Sequence, residues 1–244
     1  MAISKKYNNP PLVEAVFEMF FTSSAWSSII PGLFYNEIKE KYPIITQNQG
    51  GFGIAFDNKS LNIGPSNNQL TQYKNNSGDT IIQLAGNLLT VNKLPKYTGW
   101  ESYLETIIFA VETLKRVIRI DRIDRIGLKA INKIDIKINS IEQLKKYINI
   151  YPNISSNPNI EVSSIQINLE SQIIENTEVC SILVGTLRKE PNYEAPILFQ
   201  IYVTRINTIP EDYKSWVEHA HTQLSETFES SLTQFCKDEC DKVL

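Results

Sequence analysis

From Ile126 to Ile138 the sequence reads IGLKAINKIDIKI. Ile126, Leu128, Ala130, Ile134 and Ile136 recur at every second position, and Lys129, Lys133 and Lys137 fall between them. A period of two sends one face of a strand into a core and the other into water. Asn132 stands on the apolar side. A buried amide needs hydrogen-bond partners, so Asn132 is expected either to bond a helix end or strand edge or to line a pocket between helix and sheet. The lysines are expected on the wet face, as a grip for phosphate or as the basic side of a charged seam.

A second stretch reads the same way. Val13, Ala15, Phe17, Met19 and Phe21 alternate with Glu14, Val16, Glu18 and Phe20. Laid over the first stretch at a shift of 115, Val13 meets Leu128, Ala15 meets Ala130, Val16 meets Ile131 and Met19 meets Ile134. Glu14 then corresponds to Lys129 and Glu18 to Lys133. If the two strands pair antiparallel, Glu14 lies opposite Lys133 and Glu18 opposite Lys129, each pair contributing about 0.2–1 kcal/mol. Lys137 lies beyond that match and is the lysine most free to meet a partner.

Working outward, Leu33, Phe34, Ile38 and Tyr42 have helical spacing between Pro31 and Pro43. Residues 44–94 read as short strands separated by Gly, Asn, Asp and Ser, with Ala85-Gly86-Asn87 as a hairpin turn and an exposed Asn-rich loop around Asn67, Asn68, Asn75 and Asn76. Trp100 opens a long helix whose stripe runs through Tyr103, Leu104, Ile107, Ile108, Val111 and Leu114. After the 126–138 strand, Ser140 and Gln143 are spaced as a capping box for a short helix. Three strands follow, and a closing helix runs from Tyr213 through Trp216, Val217, Ala220, Leu224, Phe228 and Leu232 to Phe235. The order strand, helix, strands, long helix therefore occurs twice. It predicts an α+β protein of two similar halves, 1–120 and 121–244, each a curved antiparallel sheet gripping a helix, arranged as a pseudo-dimer like the TATA-binding protein. This is fold-level analogy, and fold does not fix function.

The 244 residues suffice for one large domain or two small ones, and 42% hydrophobic with 21% charged is ordinary for a globular chain. The net charge of −3 means that any nucleic-acid binding rests on a local patch. Such a patch exists in sequence: residues 115–146 carry +6, leaving −9 elsewhere. That segment holds no aromatic residue for base stacking. The last 55 residues carry −6, and this asymmetry predicts self-association. Glu14 and Glu18 interrupt the first apolar run, so no signal layout is read there. Three cysteines at unhelpful spacing point to a reducing, cytoplasmic setting.

Catalytic constellations are not found. Glu14 and Glu18, four apart on a strand, stand about 13 Å apart, beyond the roughly 5–9.5 Å of glycosidase carboxylate pairs. His219 and His221 are two apart on a helix and face different ways, whereas a zinc pair needs a spacing of four. Cys236 and Cys240 share that spacing but have no histidine in register. GGFG at Gly50 lacks the following Gly-Lys-Ser/Thr of a phosphate loop. No metal or cofactor is expected.

Three blocks carry a resemblance: NPPLVEAVFEMFF from Asn9, RIGLKAIN from Arg125 to Asn132, and HTQLSETFESSLT from His221. Together they resemble a family of sporadically distributed bacterial and archaeal proteins of uncharacterised function and similar length. The central block resembles that family's RIGLRYINRI, with Ala130 in place of an aromatic residue, and His221 with Phe228 resembles its last-helix pattern. The resemblance implies no transferable catalytic residue, and the family's patchy distribution implies an accessory role such as phage defence. The resulting expectation is a non-enzymatic binding or sensing component. Its ligand-binding residues would be Asn132, Lys129, Lys133 and Lys137, and its partner a protein, a second copy or a small ligand. A nucleic-acid binder using residues 115–146 is the alternative.

Overall fold

A computed structural model of the chain describes residues 7–48, 51–57, 60–66, 70–95, 97, 99–134, 141–152, 164–186 and 196–242. The strands are β1 (Leu12–Thr22), β2 (Ile44–Asn48), β3 (Gly51–Asp57), β4 (Ser60–Ser66), β5 (Leu70–Lys74), β6 (Thr80–Ala85), β7 (Leu88–Lys93), β8 (Arg122–Ile134), β9 (Gln166–Ile174), β10 (Glu178–Thr186) and β11 (Ile197–Thr208). The helices are α1 (Ile30–Ile38), α2 (Trp100–Val117), α3 (Ile141–Tyr147), α4 (Tyr213–Ser231) and α5 (Gln234–Asp241). The protein is α+β. Nine strands form an antiparallel sheet in the order β2-β5-β6-β7-β1-β8-β11-β10-β9, and β3 and β4 form a separate hairpin. No helix among the described residues is long and apolar enough to cross a membrane.

The chain divides into two compact units, and each draws on both early and late sequence. One comprises Val16–Ile126 and Ile206–Lys214. Of the stripe expected on α2, Tyr103, Ile107, Val111 and Leu114 are buried, together with Ala110, whereas Trp100, Leu104 and Ile108 are half-buried, and Tyr103 Oη donates to the Val91 carbonyl at 2.7 Å. Glu101 in the first turn and Lys115 and Arg116 in the last match the helix dipole. Gly99, at φ 123°, makes the entry to α2 in a conformation that side chains resist. The turn between β5 and β6 is built by Asn75, whose Oδ1 accepts from Thr80 N at 3.1 Å and whose Nδ2 donates to Asp79 at 2.8 Å. That bond, with others from Lys93 and Thr80, holds the Asp79 carboxyl well below the usual carboxylate range. Asn75 thus belongs to a bonded turn, while Asn67 and Asn68 lie outside the described residues.

The other unit comprises Met1–Ala15, Gly127–Arg205 and Ser215–Leu244. Its strands β10 and β11 pair from Glu178 opposite Arg205 to Thr186 opposite Ile197. Phe228 of α4 stacks on Phe199 of β11 at 6.0 Å, joining helix to sheet. The closing helix differs from expectation: it stops at Ser231 and restarts as α5 at Gln234. Leu232 bridges Ile148 in the break. Thr233 caps the new helix, accepting from Cys236 N at 3.2 Å. The apolar spacing of Leu224, Phe228, Leu232 and Phe235 runs through the break, and Leu232, in the break itself, is buried. The 126–138 strand also differs: β8 begins at Arg122, and residues 135–140 lie outside the described residues.

Candidate functional site: a buried carboxylate beneath His219 and Arg205

Glu178 opens β10 after the turn at Asn176, whose φ of 56° is left-handed. Between Val179–Gln172 and Glu178–Ile174 the β9–β10 register shifts by one, leaving Ile173 as the extra residue of a bulge. Bulges re-aim side chains, and at this end of β10 Glu178 points inward and is completely buried. Trp216 and His219, three apart on α4, share the helical face that meets it. Trp216 Nε1 donates to one carboxylate oxygen at 2.8 Å, and His219 Nε2 lies 2.9 Å from the other. Arg205, directly across the strand pair, brings Nε to 4.0 Å from the carboxylate.

A charge moved out of water into an interior is stable only when paired and hydrogen-bonded. Here both oxygens are occupied, one by a buried indole and one by an imidazole. Glu178 is therefore an anchor rather than a ligand-binding group. The groups it anchors are accessible: the side chains of His219 and Arg205 are 44% and 37% exposed. With Nε2 committed to Glu178, the second ring nitrogen of His219 is the one left to meet solvent. A carboxylate behind a histidine fixes the ring's orientation, and the guanidinium fork of Arg205 keeps its terminal N–H donors.

The residues expected to bind a ligand fall elsewhere. Asn132 is 2% exposed, and its Nδ2 donates to the Phe199 carbonyl at 3.1 Å. Of its two expected roles it therefore makes the strand bond. Lys129 is 8% exposed rather than wet, with Nζ 4.5 Å from the Tyr202 ring centroid. The cause is Gly127: a β-carbon there would lie 2.6 Å from Tyr202 Cε2, so only glycine lets the ring settle across β8 and cover Lys129. Lys133 is exposed, and its backbone N–H bonds the Pro11 carbonyl at 2.8 Å. That places it three residues from the expected position opposite Glu14. Lys137 lies outside the described residues. Asn132 and the two described lysines alternate on β8 and so occupy opposite faces.

The basic segment is dispersed by its neighbours. Lys115, Arg116, Arg119, Arg122 and Lys145 each lie within 4.0 Å of a carboxylate, those of Glu112, Glu37, Asp121, Asp124 and Glu142. Arg125 lies over Phe20 and Lys146 over Phe235. In the unit containing α2, an open groove of about 620 Å³ runs between the end of that helix and Ile209–Glu211. It mixes Lys115, Arg116 and Arg119 with Asp121 and Glu211, so no charge dominates it.

No family model matches the chain, and no curated protein matches it. The site is read from its own geometry. In sequence, His219 is read only against zinc spacing and Trp216 only as a stripe residue of the closing helix, while Glu178 and Arg205 carry no local mark. The one signal in the sequence was the Trp216–His219 spacing of three on a helix.

Proposed function

We propose that this protein is a non-enzymatic binding component that takes an anionic group of its partner against His219 and Arg205. The observation that carries this reading is a carboxylate with no solvent exposure whose two basic neighbours are each more than a third exposed. The guanidinium of Arg205 keeps its charge whatever the state of the neighbouring groups. Because Glu178 holds the imidazole before any ligand arrives, less side-chain freedom is lost on binding. The guanidinium of Arg205 suits the oxygens of a carboxylate or phosphate, and His219 adds a second donor in its doubly protonated form. In the same reading, the repeated order of strand, helix, strands and long helix is a pair of helix-grip units, with α2 and α4 as the gripped helices.

A ligand that binds only the folded state raises stability by RT ln(1 + [L]/Kd). Thermal midpoints are to be measured in phosphate, in acetate and with a short polyglutamate peptide, each against sodium chloride at matched ionic strength. The expected result is a midpoint that rises in at least one of these beyond the chloride control and does not rise in Arg205→Gln. Midpoints that follow ionic strength alone, or an Arg205→Gln protein that responds like the parent, would overturn the reading. The phosphate and polyglutamate arms separate a phosphate-bearing partner from an acidic protein segment.

A further inference from the structure

Two of the eight residues of α5 are cysteines placed four apart. Residues at this spacing share one helical face, and that face is the buried one, with Cys236 and Cys240 at 1% and 8% exposure. Both are free thiols. Their backbone is fixed from two sides. Thr233 caps the helix through Cys236 N, and Asn9 N donates to the Cys240 carbonyl at 2.8 Å. Asn8 Nδ2 adds a bond to the Asp241 carbonyl at 2.7 Å, so the segment before β1 is fastened along the end of α5.

We propose that Cys236 and Cys240 form a two-coordinate site for a soft monovalent ion, Cu(I) above all. Thiolates are the side chains that select Cu(I). Two thiols four apart on the buried face of one fixed helix are placed to bracket one ion. Structural zinc takes four ligands, and among the described residues no group of three or more His, Cys, Asp or Glu is placed to hold a metal. The ligand count thus favours an ion content with two sulfurs. Loading is a proton exchange without redox change: two thiols and one Cu(I) give a bis-thiolate complex and release two protons to solvent. Cys180, buried on β10 beside Thr227, is outside this pair.

The test is an anaerobic titration of the full-length reduced protein with Cu(I) against the chelator bicinchoninate. The expected result is one Cu(I) per chain withdrawn from the chelator. Competition should weaken about 100-fold or more in Cys236→Ser/Cys240→Ser and stay unchanged in Cys180→Ser. Circular dichroism reports whether each variant folds; if the double variant does not, Cys240→Ser, at the less buried position, carries the comparison. A parent protein that leaves all Cu(I) with the chelator overturns the proposal. So does a folded variant lacking these thiols that takes up as much as the parent.

Discussion

Replacing Glu178 by Leu separates the two kinds of bond that this carboxylate makes. Trp216 is 2% exposed and its Nε1 lies 2.8 Å from the carboxylate. Without an acceptor that N–H is buried and unsatisfied, a loss of about 1–3 kcal/mol. His219 and Arg205 reach water and can be solvated instead, so they add little. The converse change, Trp216→Phe, keeps most of the ring and removes one of the two close donors to a buried charge, a loss of about 1.5–3 kcal/mol. The double variant leaves neither orphan behind, and apolar replacement of a buried ionic cluster is often near neutral. With the double variant near neutral, the two effects should fall short of adding by about 2.5–6 kcal/mol. The assay is equilibrium urea unfolding followed by far-UV circular dichroism, since one substitution removes a fluorophore. Single-variant losses that add to within about 0.5 kcal/mol would show the pair to be uncoupled and refute the reasoning.

Three further substitutions test the frame around the site. Gly127→Ala should destabilise by about 1–3 kcal/mol through overpacking, and the loss should vanish in a Tyr202→Ala background, as thermal unfolding of all four proteins would reveal. Asp79 has a lowered carboxyl pKa, so its stabilising contribution is present above the ordinary carboxylate value of about 3.9 and is lost as pH falls through the lowered value. Urea midpoints of parent and Asp79→Asn should accordingly stay apart through that ordinary value and converge only in stronger acid; convergence already at about pH 4 would contradict the turn chemistry. Thr233→Ala should lower stability by about 1 kcal/mol, with the earliest rise in amide exchange in α5.

The α+β character and most elements were legible because they rest on local periodicity. Val13 to Phe21 and Ile126 to Ile134 alternate, and both are strands; Tyr103, Ile107, Val111 and Leu114 of the α2 stripe are buried. Asn132 was rightly singled out, because a polar side chain on an apolar face needs a partner wherever the strand sits. The site was not legible, since it depends on placement across the fold. Glu178 follows Glu175-Asn176-Thr177, a turn-like run that in sequence marks an exposed residue. Only the bulge at Ile173 and the docking of α4 make it buried. Lys129 misled for a similar reason. Its alternation is correct, but Tyr202 covers it from β11, and nothing near Lys129 in sequence announces that ring except Gly127, whose lack of a side chain reads as weakness in a strand rather than as room.

The most direct measurement is of the two histidine side chains themselves. In ¹³C-histidine-labelled protein titrated with phosphate at constant ionic strength, the His219 ring resonances should shift saturably. Those of His221, two residues further along α4, should move less, and Arg205→Gln should abolish the His219 response. Histidines that drift together without saturation, or a His219 response that survives the loss of Arg205, would contradict an anion site built on the buried carboxylate.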